Sequence, residues 1–205
     1  MAKKPRGAKP KDPAERLREA ALAFAAEGRW ADVALAEIAE RAGVPIAETY
    51  AIYASRGAVL GGIIGTFEEA VLKGTDPDLV GEPARDRLFD VLMRRFDAMQ
   101  PHKEALATIV QDLARDPLAG LCSLPRLGLS MAVMLEAAGL SAEGLRGRLR
   151  VKGLSALYLS TLRVWFRDDS DDLSKTMAAL DRGLSRIDCA VSCCKGLGRR
   201  AASVG

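Results

Sequence analysis

Apolar residues recur along most of this chain at steps of three and four, the spacing that lines one face of an α-helix. From Pro13 to about Glu27, Leu17, Ala20, Ala21 and Phe24 share a face. Asp12 stands at the N-cap, Pro13 at the first helical position and Glu15 in the first turn, and Gly28 ends the segment. Trp30 and Val33 lie in the link to the next helix, which starts near Ala34, a poor cap. Between Ala34 and Leu60 the pattern predicts a helix with Ile38 and Ala39 inward, a turn at Gly43, a second short helix and the opening of a third. Gly43 stands where the turn needs a positive φ, and Val44 anchors that turn. Two short helices joined in this way are a helix-turn-helix, whose second helix suits a DNA major groove.

A long helix follows from about Arg56 to Lys73, with Leu60, Ile63, Ile64, Phe67 and Val71 in period. Gly57, Gly61, Gly62 and Gly65 weaken its first half and leave room for close packing or for bending. Residues 74–83 are a linker by composition. Beyond it, Leu88, Leu92 and Phe96 form one stripe, with Phe89 and Met93 beside it. Pro101 opens a helix through Leu106, Ile109, Val110 and Leu113, and Asp116-Pro117 breaks it. Leu118 to Ala138 is strongly apolar, with Met131, Val133, Met134 and Leu135, and Pro125 starts, kinks or interrupts it. Gly139 closes that segment, and Ser141 caps a short turn. From about Gly144 to Arg167 a further helix carries Leu149, Leu154, Leu157, Tyr158, Thr161, Leu162, Trp165 and Phe166. Ser170 or Asp169 then caps a last helix, in which Leu173, Met177, Leu180, Leu184 and Ile187 fall at steps of 4, 3, 4 and 3. That seam serves either packing within one subunit or a dimeric four-helix bundle.

The fold class is therefore all-α, with about nine helices. A basic arm (1–11) precedes a helix-turn-helix head (12–55), a larger helical domain (56–188) and a tail (189–205) read as disordered. Net charge is +3, yet Lys3, Lys4, Arg6, Lys9 and Lys11 lie before the first acid, so the remainder is mildly acidic. A basic arm on an acidic body suits contact with a polyanion; the alternative is a solubilising tail. No run of about 18 uncharged apolar residues is present, so no membrane span is expected. The basic start lacks an apolar segment behind it, which argues against a secretory signal and for the cytoplasm.

The chemistry of enzymes is poorly represented. There is no GxSxG, P-loop, dinucleotide fingerprint or HExxH. His102, the only histidine, follows Pro101 at a helix start and suits a surface or capping role. Cys122, Cys189, Cys193 and Cys194 lack paired zinc-ligand spacing and are read as reduced thiols, so no metal and no cofactor is expected. Asp168, Asp169, Asp171 and Asp172 lack the Gly turn and final Glu of a calcium loop and suit helix capping.

Ile38, Ala39, Ala42, Gly43, Val44, Tyr50, Tyr53, Ser55, Arg56 and Leu60 together resemble the DNA-binding domain of TetR-type transcriptional regulators, a similarity covering about residues 12–73. The resemblance implies a ligand-responsive, DNA-binding repressor. Its implied DNA contacts are Tyr50, Tyr53, Ser55 and Arg56 on the backbone; on that reading the basic arm, with Lys3, Lys4, Arg6 and Lys9, neutralises phosphates or enters a minor groove, and Glu48 and Thr49 are the few groups able to touch bases. It implies a small apolar effector or lipid within the larger domain, for which Phe89, Met93, Phe96, Ile109, Met134, Tyr158 and Trp165 are candidate walls. It also favours a homodimer through the Leu173–Met177–Leu180–Leu184–Ile187 seam. One departure stands out: Val44 to Ala54 contains no Lys, Arg, Asn or Gln, the usual base-reading types. Residues 85–106 and 165–182 resemble a second group, the TetR-fold lipid-binding accessory proteins of ubiquinone biosynthesis. That resemblance implies isoprenoid or phospholipid binding without DNA reading.

Overall fold

The computed structural model describes residues 12–74 and 81–202, with side chains through Asp188, and every regular element among them is helical. The helices are α1 (Pro13–Ala26), α2 (Leu35–Ala42), α3 (Ile46–Ile52), α4 (Arg56–Lys73), α5 (Ala84–Met99), α6 (Lys103–Arg115), α7 (Pro117–Ala137), α8 (Gly144–Trp165) and α9 (Ser174–Ala202); a 3₁₀ turn (Gln100–His102) joins α5 to α6. The chain divides into two compact units. The first runs through Gly65 and includes Glu104–Asp116; the second comprises Thr66–Lys103 and the chain from Pro117 onward. The division thus falls inside α4, and most of α6 goes with the first unit.

In the first unit α1, α2 and α3 pack on one another around Leu17, Ala21, Phe24, Ile38, Ala39 and Val44. Asp12 occupies the N-cap of α1 as expected, although its side chain makes no capping bond. Ala34 precedes α2, and the cap comes from elsewhere: Glu37 Oε2 accepts the Ala34 amide at 2.8 Å. Gly43 takes the left-handed conformation at the end of α2, with φ +61°. The glycines of α4 serve close packing, at least at Gly62. A Cβ there would stand 2.2 Å from the Tyr53 hydroxyl, so any larger residue must displace the Tyr53 ring.

In the second unit α9 packs on α8 and α5, and α7 packs on the same two helices. Phe96, Met131, Met134, Leu154, Tyr158, Leu162 and Trp165 form much of its core. Here the heptad seam of α9 differs from expectation. Leu173, Leu180 and Leu184 are buried within the single chain, Met177 is half-buried, and Ile187 is exposed. The seam is the face that α9 turns toward its own subunit, because α5 and α8 supply the apolar surface that covers it.

Three further boundaries differ from the sequence pattern. α7 continues through Pro125; that ring removes one amide donor, and both Pro125 and Leu121, four residues back, are exposed to water. α9 starts at Ser174 and is capped jointly, its first amide donating to Ser170 Oγ (3.2 Å) and Asp172 Oδ1 (3.1 Å). The same helix runs on to Ala202, through residues assigned above to a disordered tail; no proline interrupts them. α7 is also long and apolar enough to cross a membrane by length and composition. Arg126 and Glu136 lie within it, and Ser130, Met131, Met134 and Leu135 of its second half are buried in the protein.

Candidate nucleic-acid interface and internal ligand site

The second helix of the helix-turn-helix, α3, turns an apolar surface outward. Ile46 is 44% exposed and Tyr50 57%, and Ala47, Glu48 and Ala51 are exposed beside them. Thr49 is the exception among the expected base contacts. It is fully buried, and its hydroxyl donates to the Pro45 carbonyl at 3.1 Å. Thr49 shares the inward stripe of α3 with the half-buried Ile52 and Tyr53, so it braces the helix and does not face a groove. The arm residues Lys3, Lys4, Arg6 and Lys9 lie outside the described residues.

The expected backbone contacts have structural duties. The Tyr53 hydroxyl accepts from Arg18 Nη1 at 2.9 Å. Ser55 Oγ accepts the Ala58 amide at 3.1 Å and so caps α4. Arg56 Nη1 donates to the carbonyls of Ala31 (2.6 Å) and Val33 (3.1 Å), while its guanidinium lies 5.4 Å from the Trp30 ring centre. The remaining head arginines, which sequence reasoning did not single out, are engaged in the same way. Arg16 Nη1 donates to the carbonyls of Ala42 and Gly43, both at 3.1 Å, and so holds the turn of the helix-turn-helix. Arg41 makes a two-pronged bond to Glu27 (2.8 and 3.0 Å) and lies 3.6 Å over the Phe24 ring. Arg29 bonds Glu37 at 2.8 Å. The hydrogen bond from Arg41 holds the Glu27 carboxyl below its ordinary pKa. The Ala34 amide, then Arg29, do the same for Glu37. Residues 12–65 contain eight acids and five arginines, so this head is net acidic without its arm.

The expected ligand walls divide. Phe96, Tyr158 and Trp165 come together, with ring centres of Phe96 and Tyr158 5.6 Å apart and those of Phe96 and Trp165 5.8 Å apart. Met134 joins them through Arg95, whose Nη1 lies 3.8 Å from the Met134 sulfur. Phe89 and Met93 are only half-buried. Ile109 belongs to the first unit with the rest of α6 from Glu104, where Asp112 Oδ2 accepts the Ala31 amide at 3.0 Å. Arg95 was not anticipated. Its signal was present, because Leu88, Leu92, Arg95 and Met99 form a heptad-like run that places the guanidinium inward.

Asp168 is the other buried charge of the second unit. Burial opposes its ionisation, but bonds from Ser170 and from the Thr176 hydroxyl and amide (2.7 and 2.8 Å) outweigh that and hold its carboxyl far below the usual range. Asp168 and Asp172 are thus occupied in starting α9.

The same arrangement of helices occurs in solved proteins. The TetR transcriptional regulator from Nitrosomonas europaea ATCC 19718 superposes with a TM-score of 0.66 over 85% of this chain and 98% of its own, at 22% identity. A TetR transcriptional regulator from Rhodococcus sp. RHA1 gives 0.56 over 84% and 93%, at 20% identity. This is the TetR-regulator fold. No protein family's sequence pattern matches the chain, and no curated protein does. In this fold α3 stands exposed in the first unit, and the Phe96–Tyr158–Trp165 cluster lies in the larger helical unit.

Proposed function

We propose that this protein is a ligand-responsive, DNA-binding transcriptional repressor that acts as a homodimer in the cytoplasm. The observation that carries the reading is the outward face of α3: Ile46, Ala47, Glu48, Tyr50 and Ala51 stand exposed on a helix held rigidly behind by Thr49 and the Arg16-bound turn. Apolar side chains suit thymine methyl groups, and a carboxylate accepts from the cytosine amino group. Attraction to phosphates falls to the arm, since the head's own arginines are bonded within it.

A dimer brings two such helices to one duplex. The apolar surface that a second subunit would cover lies on α7 and α8, where Leu118, Leu121, Leu124, Leu129, Leu145 and Leu149 are exposed. An apolar effector in the larger unit would favour one spacing of the recognition helices over another and so bias DNA affinity. Fluorescence anisotropy with DNA from upstream of the protein's own gene tests the reading. We expect a sequence-preferring complex that weakens steeply with salt; its absence at micromolar protein overturns the regulator.

The acidic head supports a second reading, a TetR-fold lipid- or isoprenoid-binding accessory protein that does not read DNA. Native mass spectrometry separates the two, because that reading expects a co-extracted lipid together with no preference for any DNA sequence.

A further inference from the structure

Arg95 on α5 is 3% exposed, yet it is poorly partnered. A guanidinium carries five N–H donors. Among the described residues its polar contacts are the Tyr158 hydroxyl at 3.2 Å, the Met134 sulfur at 3.8 Å, and Glu68 Oε1 at 3.9 Å, beyond hydrogen-bond reach, and its guanidinium lies 5.3 Å from the Tyr158 ring centre. The Tyr158 hydroxyl, having accepted from Arg95, donates to another sulfur, that of Met99, at 3.3 Å. Two more hydroxyls, Ser130 Oγ and Thr161 Oγ1, are buried with no hydrogen-bond partner among the described residues. Ser130 lies one turn from Met134 along α7, and Thr161 one turn from Tyr158 along α8.

Apart from the bond from Arg95 to the Tyr158 hydroxyl, the donors of this set have no oxygen acceptor among the described residues. Sulfur is a weak acceptor, and the two methionines that provide it have long, adaptable side chains. The one carboxylate near the set, Glu68, stands at ion-pair distance from Arg95 without a hydrogen bond, so the set still lacks an acceptor-rich anion in hydrogen-bond contact. A planar carboxylate matches one guanidinium in a two-pronged bond and takes a hydroxyl donor on a remaining lone pair. A phosphate brings more charge than a single arginine, already shared with Glu68, balances in so dry a place. Phe96 is stacked on Tyr158 with Trp165 behind, and the polar groups beyond are Gln100, which accepts from Trp165 Nε1 at 2.9 Å, and Lys103, whose Nζ lies 5.7 Å from the Trp165 ring centre.

We propose that Arg95 anchors the acid group of an amphiphilic carboxylate, with the Tyr158 hydroxyl as second donor and the Met99 and Met134 side chains moving aside. The inference rests on reading the second unit as a ligand-binding domain, and it narrows the ligand from an apolar molecule to an apolar acid.

The test uses full-length protein and a fluorescent eighteen-carbon acid, cis-parinarate, against its methyl ester, which keeps the chain and removes the charge. The acid is expected to bind at least tenfold more tightly than the ester. Arg95→Met should abolish that preference, and Arg95→Lys should retain part of it. Tyr158→Phe, which keeps the ring and removes only the hydroxyl, should weaken the acid several-fold and leave the ester unchanged; it serves if Arg95→Met does not fold. Equal affinity for acid and ester, binding of neither, or an unaltered preference in both Arg95→Met and Tyr158→Phe overturns the proposal. None of these measurements involves DNA, so a missing operator complex refutes the regulator and leaves this site standing, and the reverse also holds.

Discussion

The arginines of the head and Arg95 of the larger unit are used in opposite ways, although Arg87 of the larger unit, bonded to the Ala138 and Glu82 carbonyls, behaves like those of the head. In the head, Arg16, Arg18, Arg29, Arg41 and Arg56 lie near the surface and each meets an oxygen of a neighbouring element at 3.1 Å or less. In the larger unit Arg95 is buried and has one oxygen within hydrogen-bond distance. A cation that ties two elements together stabilises the fold and is lost to phosphate binding. A cation enclosed without adequate acceptors contributes little to stability, and a binding role gives a reason for keeping it.

Removing residues 2–11 should break the comparison most visibly. If the head's arginines are committed internally, the arm supplies the phosphate contacts. Its loss should then lower DNA affinity about a hundredfold or more and reduce the salt slope by about four. An unchanged slope in an anisotropy titration would mean that the head arginines release their partners to reach DNA.

Next in size is Arg16→Met. It leaves the carbonyls of Ala42 and Gly43 without their shared donor and should cost about 2 kcal/mol in denaturant unfolding. Arg95→Met is the counterpart and should differ in sign. It replaces a poorly satisfied charge by an apolar chain of similar length, with Glu68 only 22% exposed but still in reach of water. Stability should be unchanged or raised by about 1 kcal/mol.

The smallest effect concerns pH. Glu27 and Glu37 have folded-state pKa values below the ordinary carboxylate value of 4.5. Their contribution is therefore complete above the unfolded pKa and is lost as pH falls through the lowered folded values. Thermal unfolding should be flat from neutrality to about pH 5 and then decline, and Arg41→Met should blunt the decline.

Much of the head was legible because short-range rules decide it. Gly43 marks the turn, Pro13 starts α1, and the three–four spacing of Leu17, Ala21 and Phe24 selects a face. The α9 seam shows where such rules stop. A heptad identifies residues that share a face, but not whether the covering surface belongs to the same subunit; here α5 and α8 provide it. Thr49 misleads for a related reason. A threonine on a seven-residue helix looks available for bases, and only packing reveals that it points inward. The arginine bonds were illegible because the partners of Arg16 and Arg56 are backbone carbonyls more than twenty residues away. Arg95 lay within reach, since its position repeats the Leu88–Leu92 register, but a cation on an apolar stripe is easily taken for the stripe's edge.

The row of exposed leucines at the start of α7 bears on how this protein's robustness is to be measured. If a second subunit covers Leu118, Leu121 and Leu124, part of the free energy that holds each chain together comes from association and follows mass action. Dilution alone would then lower the unfolding midpoint, and a melting temperature would carry meaning only beside the protein concentration at which it was recorded.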